Sequence, residues 1–119
     1  MFSHQPIHNG PLCDENGNMT GFNPFDNVHG APEVYYHAQY CKNVKMLIAG
    51  HTHVDAVWFD GDLPTVTTEC SLTQEPAGRH ERFFGTPTET AFDVFSIKGN
   101  MVYMTRFGYG KNRELVLRR

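Results

Sequence analysis

Met46-Leu47-Ile48-Ala49-Gly50-His51-Thr52-His53 is the stretch that decides the fold. Residues 46–49 are a continuous apolar run of strand length. With no polar position in it, the run reads as a central strand buried on both faces, the pattern of an α/β layered fold. Gly50 then lets the backbone turn and leaves room for the imidazoles of His51 and His53. In α/β sheets, sites form in the loops beyond the carboxyl ends of the strands. Neutral imidazole is the commonest metal ligand. A buried strand ending in Gly-His-Thr-His therefore reads as a metal-binding loop.

Upstream of this strand, Pro32 suits the first turn of a helix, where its absent N–H is no loss. Val34, Ala38 and Cys41 recur at helical spacing, so residues 33–43 are expected to form a short amphipathic helix. Residues 5–31 are rich in Gly, Pro and Asn and are expected to be loop. At the start, Met1-Phe2-Ser3 reads as the last step of a strand that runs straight into His4-Gln5-Pro6.

Downstream, the chain turns mostly β. Residues 54–59 form one candidate strand, with a hairpin turn expected at Asp60-Gly61. Val66 and its neighbours Thr65, Thr67 and Thr68 continue as a second. Residues 73–90 look like loop. Residues 92–97 and 101–107 form a hairpin about Gly99-Asn100, and 114–117 add an edge strand. No repeat or low-complexity tract interrupts the 119 residues, which are read as one domain.

Composition narrows the function classes. The chain is 39% apolar and 19% charged, the balance of a globular protein. A net charge of −3 gives no general attraction to nucleic acid or a membrane surface. No apolar run approaches the roughly 20 residues of a membrane span. Ser3, His4 and Gln5 stand where a secretion signal would carry apolar residues, so the expected location is cytoplasmic. Cys13, Cys41 and Cys70 are an odd, widely spaced set without Cys-x-x-Cys. They fit neither a disulfide framework nor a Cys-based zinc site.

Phe2-Ser3-His4-Gln5-Pro6 and Gly50-His51-Thr52-His53 together resemble the last two ligand motifs of the calcineurin-like metallophosphoesterases, as found in bacterial and phage members. Residues 90–94 and 106–113 resemble the β-rich ends of the same proteins. The resemblance implies part of a four-layer αββα sandwich, β-rich, with one short helix before the strand that bears the paired histidines. It implies metal ligation by His4, His51 and His53. His4 and His51 would share the second metal of a dinuclear centre and His53 would reach the first. The implied cofactors are two divalent cations drawn from Mn, Fe, Zn and Ni. The implied reaction is hydrolysis of a phosphomonoester or phosphodiester, in which two close cations clamp the phosphate for in-line attack. His8 is a candidate contact to such a substrate.

The sequence departs from that family in its first three motifs. No Asp-x-His is present, Gly61-Asp62 runs into Leu63-Pro64 rather than a second Asp, and Gly99-Asn100 is followed by Met101 rather than His. No residue here takes a catalytic role. Three imidazoles give two dications too few ligands and no bridging carboxylate to offset their repulsion. The expectation is an incomplete carboxy-terminal portion, inactive alone, that self-associates or pairs with an amino-terminal half. A non-catalytic binding or assembly module descended from the family is the alternative, and a single-metal site of His4, His51 and His53 is a third. Residues 106–119 hold five cations against Glu114, a local charge of +4. They read as a solvated edge rather than a nucleic-acid surface.

Overall fold

Residues 46–49 meet their expectation: Leu47–Ala49 forms a strand in which every residue is buried. The computed structural model describes residues 1–7, 12–13, 19–21, 31–71 and 82–119. The chain is mixed α/β, rich in strands, with one short helix among the described residues. It divides into two compact units, Met1–Thr68 with Leu117–Arg119, and Glu69–Val116.

The first unit is built on a four-stranded sheet. In chain order its strands are β1 (Phe2–Ser3), β4 (Leu47–Ala49), β5 (Ala56–Asp60) and β6 (Leu63–Thr67), and they lie side by side as β1-β4-β6-β5. β1, β4 and β6 are parallel, and β5 closes the edge antiparallel to β6. Parallel pairing buries both faces of the inner strands, and β6 is buried throughout. Pro64 is tolerated there because β4 begins its pairing at Thr65, one residue beyond the missing N–H. The hairpin turn is Gly61-Asp62, one residue later than expected, between the paired Asp60 and Leu63. Gly61 takes φ +58°, which suits the first central position of a two-residue hairpin turn.

Residues 5–31 are not loop throughout. β2 (Leu12–Cys13) and β3 (Met19–Gly21) pair antiparallel, and Ile7 is buried. Helix α1 spans Ala31–Tyr40. Its buried side is Tyr35 and Ala38, three residues apart, whereas Val34 and Cys41 are exposed. Tyrosine supplies the apolar contact that the sequence pattern assigned to valine. Ile7, Tyr35, Ala38, Leu47 and Leu63 form one core, with Val44 packed on it.

The second unit is an antiparallel meander: β7 (Ala91–Lys98), β8 (Met101–Gly108) and β9 (Arg113–Val116), in that order across the sheet. Gly99-Asn100 is the two-residue turn between the paired Lys98 and Met101, as expected. Strand alternation sends Val102, Met104 and Arg106 inward with Leu115 of β9. The opposite face carries Phe92, Val94, Tyr103, Phe107 and Val116, all exposed. Phe92 and Phe107 are cross-strand partners with their rings stacked at 5.1 Å. Of residues 73–90, positions 82–90 are described, and there turns and bends alternate without helix or strand.

The basic residues of 106–119 are a solvated edge only in part: Lys111 and Arg119 are exposed, and the others are not. Arg106 and Arg118 are buried. Arg106 lies directly across the ladder from Asp93 and binds it through both carboxylate oxygens, Nε to Oδ1 and Nη2 to Oδ2, each at 2.9 Å. Arg113 adds a third contact, Nη2 to Oδ2 at 2.8 Å. Arg118 donates to the carbonyls of Ala38 at 2.5 Å, Gln39 at 2.8 Å and Cys41, and so caps the C-terminus of α1. A guanidinium suits that position because the last carbonyls of a helix lack partners and carry the negative end of its dipole.

Candidate metal-binding histidine pair

β1 and β4 are neighbours and parallel, with Phe2 opposite Ile48 and Ser3 opposite Ala49. The next step of each chain therefore puts His4 beside Gly50, and the Gly50 amide donates to the His4 carbonyl at 3.0 Å. Both histidine elements leave the sheet at the carboxyl ends of adjacent strands, where α/β sheets build their sites. On the other side of β4, the Thr68 amide donates to the Ala49 carbonyl at 3.0 Å. The loop is thus tied down at both flanks.

Gly50 is not the residue that takes the unusual backbone conformation. The left-handed residues are His51, at φ +67°, and His53, at φ +55°. Thr52 donates its amide to the Gly50 carbonyl at 2.8 Å. An i to i+2 bond around a positive φ is the rare, strained form of γ-turn, here centred on His51. A β-carbon on Gly50 would meet only the His4 carbonyl oxygen, at an ordinary 3.8 Å. Holding a side-chain-bearing residue in this region costs about 1–3 kcal/mol, and such residues gather at ligand clamps.

The rings of His4 and His51 meet at the loop mouth. His51 Nδ1 lies 3.2 Å from His4 Nε2, with ring centroids 5.1 Å apart and planes at 68°. His4 is exposed and His51 is half-buried. Gln5 reaches the far side of the His51 ring, Nε2 to Nε2, at 3.4 Å. Sequence reasoning quoted Gln5 without giving it a role; its place directly after a strand-end histidine was the available signal. Thr52 Oγ1 is buried with no hydrogen-bond partner among the described residues.

The spacing of the pair compares with that of two ligands on one cation. Two imidazole nitrogens bound at about 2.0–2.1 Å with a near-tetrahedral angle stand about 3.3 Å apart. The observed 3.2 Å is near that spacing, and it is equally the length of a hydrogen bond between the two rings. The described residues contain no group of three His, Cys, Asp or Glu side chains placed to hold a metal, so His53 does not join the other two in such a group. His8 lies outside the described residues.

Lys42, Asp62 and Arg118 pair within the first unit. Lys42 Nζ binds Asp62 Oδ2 at 2.7 Å, and Arg118 stands 3.6 Å from Oδ1. The Lys42 hydrogen bond, reinforced by the charges of Lys42 and Arg118, holds the Asp62 carboxyl below the usual carboxylate range. In the second unit Arg82 donates to the carbonyls of Cys70 at 2.8 Å, Thr88 at 3.1 Å and Glu89 at 2.7 Å. That buried guanidinium ties the residues before and after 72–81 together. No described helix is long and apolar enough to cross a membrane. No protein-family model, curated protein or solved structure matches this chain.

Proposed function

We propose that His4 and His51 bind one divalent transition-metal ion, and that this chain contributes that ion to a phosphoesterase centre of the calcineurin-like type. The observation that carries the reading is the 3.2 Å approach of two imidazole nitrogens at the carboxyl ends of adjacent parallel strands. The two quoted motifs of the resembling family support it. So does the positive φ at His51, because residues held in that region gather at ligand clamps. When bound, the metal supplies Lewis-acid polarisation of a phosphoryl oxygen. The protein's part is to hold two neutral nitrogens at fixed separation and to present them at an exposed edge. Mn, Fe, Zn and Ni all accept imidazole, and two histidines do not choose among them.

In this reading the substrate is a phosphate ester, and the remaining ligands and the facing sheet of the sandwich come from a second polypeptide segment or a second copy. The exposed face of Phe92, Val94, Tyr103, Phe107 and Val116 supports a covered surface, because globular proteins rarely leave such patches bare. Taken alone, the chain hydrolyses phosphate esters weakly or not at all. A second reading, a non-catalytic binding or assembly module, is favoured by the three ligand motifs that the sequence lacks.

Titration of the metal-free chain with Co(II), followed by visible absorption and metal analysis, tests the metal site. About one cation per chain is expected, with at least a tenfold loss of affinity in His4→Ala and in His51→Ala. Binding that survives both substitutions, or no binding by the wild type, refutes it. A chromogenic phosphodiester assayed with Mn(II) separates the two readings. Robust turnover by the pure chain, abolished by His51→Ala, excludes the non-catalytic module and the expectation of inactivity together.

A further inference from the structure

β5 closes one side of the four-stranded sheet and leaves hydrogen-bonding groups on its open edge. Asp60 and Leu63 flank a two-residue turn, which makes them a hydrogen-bonded pair. Alternation then makes Phe59 with Pro64 a non-hydrogen-bonded pair, as Pro64, lacking an N–H, requires, and Val57 with Val66 another. A residue in such a pair turns its N–H and C=O away from the neighbouring strand. Val57 and Phe59 therefore aim four backbone groups outward, and no described residue takes them. Proteins blunt such an edge by keeping it short, or with Lys, Pro or a bulge. β1, at the other side of the sheet, is two residues long, and β9, an edge of the second unit's sheet, carries Arg113 and Glu114. β5 has no such protection. Ala56-Val57-Trp58-Phe59 is uncharged, its pairing with β6 runs unbroken, and Val57 and Phe59 are exposed.

We propose that β5 pairs antiparallel with β5 of a second copy of this chain, about a two-fold axis at Trp58, and joins the two four-stranded sheets into one. The edge is its own complement. With Trp58 opposite Trp58 of the second copy, Val57 meets Phe59 and Phe59 meets Val57, each as a hydrogen-bonded pair. Each pair exchanges two hydrogen bonds, so every outward group of both strands is used. Shifting the register takes Val57 or Phe59 out of this match. The side chains match as well. On one face each Phe59 lies across from a Val57 of the other copy. On the other face the two Trp58 side chains meet in a non-hydrogen-bonded pair, the site where side chains approach most closely. Aromatic–β-branched and aromatic–aromatic pairs are favourable cross-strand combinations. The two-fold axis is perpendicular to the sheet and reverses strand direction, so the two His4–His51 pairs lie at opposite ends of the joined sheet. Neither copy completes the other's histidine pair, and the pairing stands apart from the metal proposal.

Trp58 is the chain's single tryptophan, so coupling between two indoles can come only from two copies. Circular dichroism of the wild type is expected to show an exciton couplet in the indole bands that fades on dilution. Mass is read by sedimentation in the chain carrying Phe92→Ser and Phe107→Ser, so that the exposed face of the second unit does not contribute. The expected mass is that of two chains at tens of micromolar. Val57→Pro removes one outward N–H per copy and spares the β5–β6 ladder, because Val57 does not bond to Val66. It is expected to weaken the dimer about tenfold or more, since each facing carbonyl loses its donor, and to abolish the couplet. Hydrogen exchange of the β6 amides checks that the variant's own sheet is intact. Phe59→Lys keeps every backbone group but charges the edge, and it is expected to give the same result. A monomeric chain, a dimer without a couplet, or a couplet that survives both substitutions overturns the proposal. None of these outcomes bears on Co(II) binding, which reads His4 and His51 whether the chain is paired or single.

Discussion

Replacing Asp93 by Asn should nearly undo the second unit. Asp93 accepts from Arg106 at 2.9 Å through each oxygen and from Arg113 at 2.8 Å. The Asp93 and Arg106 side chains are 1% and 2% exposed, and Arg113 is 15% exposed. Asparagine keeps the shape but loses the charge, and one of its two terminal positions becomes an N–H facing a guanidinium N–H. Two cations then remain in a buried site with no anion. Breaking a buried ion pair from one side costs about 3–5 kcal/mol, against a total stability of roughly 5–15 kcal/mol for a whole domain. Arg113→Met should cost far less, about 1 kcal/mol, because it leaves the bidentate pair balanced and removes the most exposed member. The triple change Asp93→Met, Arg106→Met and Arg113→Leu should recover most of the loss, since apolar replacement of buried ions is often neutral or better. Urea unfolding followed by hydrogen exchange of the β8 amides reads this unit directly, whereas Trp58 reports on β5 in the other. Asp93→Asn within about 1 kcal/mol of wild type would falsify the claim that the carboxylate organises the meander.

Gly108 should tolerate no side chain: at φ +89°, a β-carbon would sit 1.9 Å from the Thr90 carbonyl oxygen, against which Tyr109 also donates at 2.9 Å. Gly108→Ala is expected to cost more than about 3 kcal/mol, while Gly99→Ala, at φ +62° with open space around it, should cost about 1 kcal/mol; thermal unfolding of the pair compares them. Arg118→Met strips three carbonyls at the end of α1 of their shared donor and should cost about 2–3 kcal/mol, with faster hydrogen exchange in α1 as its signature. Asp62 is lowered in the folded state, so its contribution is present above about pH 4 and is lost as pH falls through the folded value; Asp62→Asn should flatten acid unfolding in that window, and added salt should do the same. Phe92→Ser with Phe107→Ser should leave the β7–β8 ladder folded and lower the mass that the wild type shows by light scattering at tens of micromolar; a monomeric wild type refutes self-association through that face.

Much of the fold was legible because it depends on local pattern. An unbroken apolar run gave β4, and Gly99-Asn100 between apolar stretches gave the β7–β8 hairpin. The meeting of His4 with His51 was also legible, because a histidine at each of two strand ends needs only parallel pairing to bring them together. What sequence pattern could not supply was register and partner. Arg106 is buried only because the ladder sets it opposite Asp93, thirteen residues earlier. Arg118 is buried because the end of α1, some eighty residues away, needs donors. Tyr35 rather than Val34 faces the core because the helix starts at Ala31 and turns its tyrosine inward. The turn after β4 was read from Gly50, whereas the positive φ values fall on His51 and His53.

That last displacement bears on function more than any other feature. Glycine adopts positive φ freely, and imidazole-bearing residues do so at a cost of about 1–3 kcal/mol each. A loop built for turning alone would place its glycine where φ is positive. Here Gly50 is not at positive φ, and both histidines are. The strain has a geometric return at His51: the γ-turn swings its ring back across the end of β4 toward His4, on the neighbouring strand, to an approach of 3.2 Å. An extended residue at position 51 would carry the ring onward from the strand end and away from that neighbour. At His51 the turn and the pairing of two imidazoles therefore coincide. Gln5, on the other nitrogen of His51, and the Gly50–His4 hydrogen bond flank the paired rings, so the metal titration of His4→Ala and His51→Ala tests the place where strain and pairing coincide.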